Sequence, residues 1–131
     1  MIRVELARRL KDAGIAWTPT AGDRFVIPDV MDDEVFTISD MVVEVRDLPT
    51  GAHFEFNGTT EWALDSIDQG AVLWLPREEQ LRAILAEAFV SLHAVPGGFV
   101  VVIDHDGREE RHIDIDAESA YARAVLAAHL S

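Results

Sequence analysis

At 131 residues, 49% of them hydrophobic, the chain is long enough for one domain that builds its own core. It has no cysteine, which excludes thiol catalysis, cysteine-ligated zinc and a disulfide scaffold. The formal net charge of −13 repels phosphate backbones and anionic lipid, so neither nucleic acid nor a membrane is an expected partner.

That charge is unevenly spread. Residues 1–28 balance to +2, residues 29–68 to −10 with Arg46 their only basic group, and residues 69–131 to −5. A segment so acidic predicts a solvated surface or a patch for a basic protein partner. The N-terminus, Met1-Ile2-Arg3-Val4-Glu5-Leu6, threads charges through its apolar positions and reads as an amphipathic helix rather than a signal peptide. No apolar run is long enough to span a bilayer, and the expected location is cytoplasmic. Ten arginines against one lysine suggest a GC-rich bacterial genome.

In chain order, Ile2, Leu6, Leu10 and Ala13 form one stripe of a first helix over about residues 2–13, ended by Gly14. Ile15-Ala16-Trp17 predicts a short strand, and Arg24–Ile27 a second one stopped by Pro28. Asp29–Asp33 predicts an acidic loop. Glu34–Ile38 and Met41–Val45 are β-rich runs around Ser39-Asp40, a hairpin or bulged bend. After a turn at Asp47–Gly51, His53–Phe56 alternates polar and aromatic residues.

Asn57-Gly58 breaks that strand, and Thr59 or Thr60 caps a short helix with Trp62, Ala63, Ser66 and Ile67 on one face and Gly70 at its end. Ala71–Leu75 is almost wholly apolar and predicts a central strand covered on both faces. Pro76, Glu78 and Glu79 open a helix whose face, Leu81, Ile84, Leu85, Ala88, Phe89 and Leu92, runs over more than three turns. Phe99–Ile103 turns through Asp106-Gly107 into Arg108–Asp116, where Ile113 and Ile115 are the apolar residues and the opposite face is expected to be wet. Asp116 caps a last, alanine-rich helix over 117–130, with Tyr121, Val125 and Ala128 as a docking line. The sum is an α+β fold: a single domain, residues 1–131, with an antiparallel or mixed sheet of about five to seven strands and about four helices.

Candidate chemistry is sparse. His53 and Glu55 share a strand face without a third metal ligand nearby. Asp104-His105-Asp106 combines acids and imidazole at a turn tip, while His112, Asp114 and Asp116 share one face of the return strand. Asp29, Asp32, Asp33, Glu34 and Asp40 offer oxygen ligands without the spacing of an EF-hand loop. No nucleophile elbow, zinc-protease helix, P-loop or dinucleotide fingerprint is present, so no catalytic residue, metal or cofactor is assigned. Trp74 reads as core. Asn57, Thr59, Glu61 and Trp62 form the expected partner-binding site, since a tryptophan in a polar rim is a common interface anchor.

Thr37–Val45, Phe56–Ser66 and Trp74–Glu78 resemble segments of a family of small uncharacterised actinobacterial proteins, some of them labelled pilus-assembly proteins. The likeness covers roughly residues 15–92 and implies a bacterial, single-domain protein. It implies no catalytic residues, and the ATPase activity that such a label suggests is not carried over, because the P-loop is missing. The leading expectation is a non-enzymatic protein-interaction module. The alternative is a small enzyme or ligand-binding protein with a pocket near Asn57–Trp62 or His112, and a homodimer is a further possibility.

Overall fold

The computed structural model describes residues 1–28, 31–39, 43–49, 51–56 and 66–129. Among these the fold is α+β, with three α-helices and nine strands in three antiparallel three-stranded sheets, where one sheet and about four helices were expected. Two compact units form. One joins residues 1–15 to residues 76–131, and the other is the continuous stretch 16–75.

The discontinuous unit begins with α1 (Val4–Asp12), which buries Leu6, Ala7 and Leu10. Gly14 takes φ +82° and ends it, with the Ile15 N–H reaching back to the Leu10 carbonyl at 3.1 Å. The second helix, α2 (Glu78–Leu85), starts where the Gln80 side chain accepts the Arg77 N–H at 2.8 Å. It stops four residues short of Phe89. Ala86 adopts φ +50°, Ala86–Ala88 form a single 3₁₀ turn, and Phe89–Val95 become strand β7. The helical spacing of Phe89 and Leu92 is therefore misleading. Pairing with β8 (Gly98–His105) sets Leu92 against Val101 and Phe89 against Ile103, so the tertiary ladder overrides the local period.

Strand β8 is the centre of the sheet β7-β8-β9, and Val100 to Ile103 are all buried. Asp106 and Gly107, at φ +54° and +82°, form the expected tight turn into β9 (Arg108–Asp114). Helix α3 (Ala117–His129) follows; the Asp116 Oδ1 caps it by accepting the Ser119 N–H at 2.7 Å. Ala120, Ala122 and Ala124 are fully buried, small enough for α3 to approach α1, α2, β8 and β9 closely. Of the expected docking line, Tyr121 and Val125 are buried and Ala128 is half-buried.

The β9 prediction is reversed. Ile113 and Ile115 are 61% and 70% exposed, while Asp114 is buried, so the face carrying Glu110, His112 and Asp114 is the one turned to the helices. Three donors reward this choice. Arg3, Arg123 and the Ile115 N–H all reach the Asp114 carboxylate, which an isoleucine there could not accept. Asp116 lies past the strand, in the cap, rather than on that face.

In the continuous unit, β1 (Arg24–Ile27) lies between β2 (Met31–Thr37) and β6 (Leu73–Leu75). The expected strand at Ile15–Trp17 is absent. Trp17 is instead tied down by its indole N–H, which donates to the buried Asp23 carboxylate at 2.9 Å, and its ring stacks on Trp74. The acidic loop expected at Asp29–Asp33 gives way to strand from Met31 onward. Strand β6 is an edge among the described residues rather than central, and Trp74 is half-buried.

Strands β3 (Val43–Leu48), β4 (Gly51–Phe56) and β5 (Ser66–Asp68) make a separate sheet, so the two β-rich runs flanking Ser39-Asp40 belong to different sheets. Ser66 and Ile67 are strand rather than helix, because Ile67 pairs with Phe54 across the ladder. Phe25, Ile27, Phe36, Ile38 and Val72 form the core of this unit, with Trp17 and Val45 against it.

Candidate functional site: a basic cleft beside His112

The expected partner-binding residues Asn57, Thr59, Glu61 and Trp62 lie outside the described residues, as do Asp29 and Asp40 of the acidic candidates. His53 stands in β4 between Arg46 of β3 and Asp68 of β5, and Glu55 between Glu44 and Ser66. Among the described residues no three histidine or acidic side chains gather in a way that could hold a metal ion.

The chemistry that does converge is around β9. Glu110 sits between two imidazoles: its Oε2 lies 2.9 Å from His105 Nδ1 and its Oε1 3.2 Å from His112 Nε2. His105 comes from the end of β8, across the turn, and His112 from the same face of β9 two residues on. Hydrogen bonds from His105 and then His112 hold the Glu110 carboxyl below the usual range. Asp104 of the turn tip is used locally; its Oδ1 accepts the Gly107 N–H at 2.9 Å.

One step further along the strand, burial by itself would raise the Asp114 carboxyl. The hydrogen bond from Arg123 (2.7 Å), that from the Ile115 N–H (2.7 Å) and the Arg3 guanidinium outweigh it, and the group is held low. Asp114 therefore fastens the N-terminal segment, β9 and α3 to one another. It is a structural anion. Ser119, wholly buried, adds a second tie by accepting the Arg3 N–H at 3.1 Å.

Above these two carboxylates lies a cleft of about 250 Å³ lined by Arg9, His112, Arg123, Leu126 and Ala127. Helix α1 supplies Arg9, β9 supplies His112, and α3 supplies the rest, so the cleft depends on α3 packing against both α1 and β9. Two guanidiniums and an imidazole line it beside Leu126 and Ala127, on a chain whose net charge is −13. Among the described residues no carboxylate is paired with Arg9. At roughly 30 Å³ per water the cleft holds about eight waters, the size of one anionic group with its hydration rather than a large ligand.

His112 was visible as a candidate in the sequence. Arg9 and Arg123 were not, because 114 positions separate them. The available signal was that Arg9 lies off the apolar stripe of α1 and that Arg123 is the one charged residue in the stretch 120–128.

The fold and cleft thus define an α+β domain with a basic recess in an acidic chain. Comparison with family models, with curated proteins and with solved structures gives no match. The resemblance carried by residues 15–92 accordingly lends no activity. No helix among the described residues is long and apolar enough to cross a membrane.

Proposed function

We propose that this protein is a small binding domain, and that the cleft beside His112 receives an anionic group, a carboxylate or phosphate on a small ligand. The supporting observation is the convergence of Arg9, Arg123 and His112 on one recess of about 250 Å³. Guanidinium is the side chain best suited to hold such groups through paired N–H donors. Glu110 and Asp114, the carboxylates bonded to His112 and Arg123, are both held low by those partners, so neither is suited to exchange a proton with a ligand in the cleft. A general acid needs the opposite shift, and a base so stabilised is weak.

The experiment is a titration of the isotope-labelled protein with inorganic phosphate and with citrate, followed by amide and arginine side-chain resonances. Shifts at Arg9, His112 and Arg123 that saturate and weaken with salt are expected, with Arg9→Ala reducing affinity about tenfold, roughly the worth of one charge-assisted hydrogen bond. Shifts scattered over all basic residues, or no saturation, would defeat the reading.

A second reading rests on the −10 balance of residues 29–68. That segment is suited to a basic protein partner. Capture of such a partner that ignores ionic strength would count against it.

A further inference from the structure

The two edges of the sheet β7-β8-β9 are built differently. Strand β9 carries Arg108, Glu109, Glu110 and Arg111 in succession, the charge that normally keeps an edge from pairing with foreign strands. Strand β7, Phe89-Val90-Ser91-Leu92-His93-Ala94-Val95, has no acidic residue, no lysine, no arginine and no proline. None of its seven residues is buried, and among the described residues no strand lies on its outer side. Its single irregularity falls between Phe89 and Ser91, and from Ser91 to Val95 its register with β8 is continuous. One edge is guarded and the other is open.

We propose that the open edge of β7 pairs antiparallel with β7 of a second copy, joining two sheets into one of six strands about a two-fold axis at Leu92. Charge fixes where two copies can meet: the net charge of −13 on each chain opposes association in general, and β7 is the edge of this sheet that adds no carboxylate, lysine or arginine to the contact. The strand is also complementary to itself. With Leu92 opposite Leu92 of the other copy, Val90 faces Ala94, Phe89 faces Val95, and Ser91 faces His93, each twice. The last pairing is chemically sound, since the Ser91 hydroxyl and His93 Nε2 already lie 2.8 Å apart within one chain. Residues directly opposed across a strand pair stand closer than two residues alternating along one strand, about 5 Å against about 6.5 Å, so the same hydroxyl–imidazole bond is within reach across the axis.

The test is sedimentation of the full chain over roughly a hundred-fold range of concentration, where a reversible monomer–dimer equilibrium is expected. The double variant Val90→Lys/Ala94→Lys sets lysine against lysine across the axis. It is expected to weaken dimerisation roughly a hundred-fold while the circular dichroism stays native. Ile113→Lys, on the opposite edge, is expected to leave the dimer intact. A wild-type chain that stays monomeric throughout would overturn the proposal, as would a lysine pair without effect or an Ile113→Lys chain that dissociates equally. Should the double variant fail to fold, wild-type hydrogen exchange decides. Amides of Ser91–Val95 protected more at high concentration support the pairing, and concentration-independent exchange refutes it.

Discussion

The Asp114 Oδ2 lies 2.7 Å from Arg123 Nε, a charge pair in which the acid is almost wholly enclosed and the base is about two-fifths exposed. The pair joins the last strand to the last helix, and Arg3 brings the N-terminal segment to the same oxygen. Removing the acid leaves two guanidiniums facing each other without an anion. Asp114→Ala is therefore expected to cost about 3 kcal/mol, below the ceiling for a fully buried network because both arginines reach solvent. Urea denaturation measures it, and a loss under about 1 kcal/mol would show that water replaces the carboxylate easily.

Acid should act through the same group. Asp114 is held below its ordinary value of 3.8, so at low pH the unfolded chain takes up the proton first. Its contribution to stability is complete above that value and is lost as pH falls toward and through the folded-state value; Glu110, also held low, adds in the same direction. Thermal unfolding between about pH 5 and pH 2 should show a steep decline that is shallower in Asp114→Asn. Equal slopes in the two proteins would remove Asp114 from the account.

Two glycines should respond oppositely to alanine. A Cβ at Gly98 would stand 2.3 Å from the Asp114 carbonyl oxygen, a backbone atom of the neighbouring strand, so Gly98→Ala must shift the β8–β9 ladder at a cost of about 3 kcal/mol. At Gly70 nothing lies within 4 Å of the added carbon and φ is not in the left-handed region. Gly70→Ala is expected to be neutral or to stabilise by up to about 1 kcal/mol. Paired urea melts distinguish the two.

Trp17 and Trp74 stack at 5.6 Å with their planes 2° apart. Two parallel indoles that close should give a coupled circular-dichroism band, and either Trp17→Phe or Trp74→Phe should abolish it. Asp23→Asn, which weakens the bond to the Trp17 indole N–H, should reduce that band and cost about 1–2 kcal/mol. A band that survives either phenylalanine variant would rule out the stack as its source.

Ile113→Thr should change stability by no more than about 0.5 kcal/mol, because the side chain is 61% exposed. The pattern of β9 alone predicts the reverse, and this is where sequence reading failed for a definable reason. An alternating strand tells which residues share a face but not which face is covered. Two isoleucines against His112 and Asp114 looked decisive until arginines distant in the chain supplied an anion's partners.

Local signals did better. The Gly14 stop of α1, the strand Arg24–Ile27, the Asp106-Gly107 turn and the Asp116 cap all depend on one or a few neighbouring residues, and all stand in the structure. The helix drawn through Phe89 and Leu92 failed because an apolar run fits both periods, and only the pairing with β8 decides between them. For the cleft, His112 was legible and its arginine neighbours were not, since they come from the two ends of the chain.

That arrangement bears on biosynthesis. Helix α1 is made before the helix it rests on, α3, with the whole continuous unit 16–75 emerging between them. Residues 16–75 can begin to fold while the rest is still being made. Helix α1 must wait, exposed, until α3 has been translated.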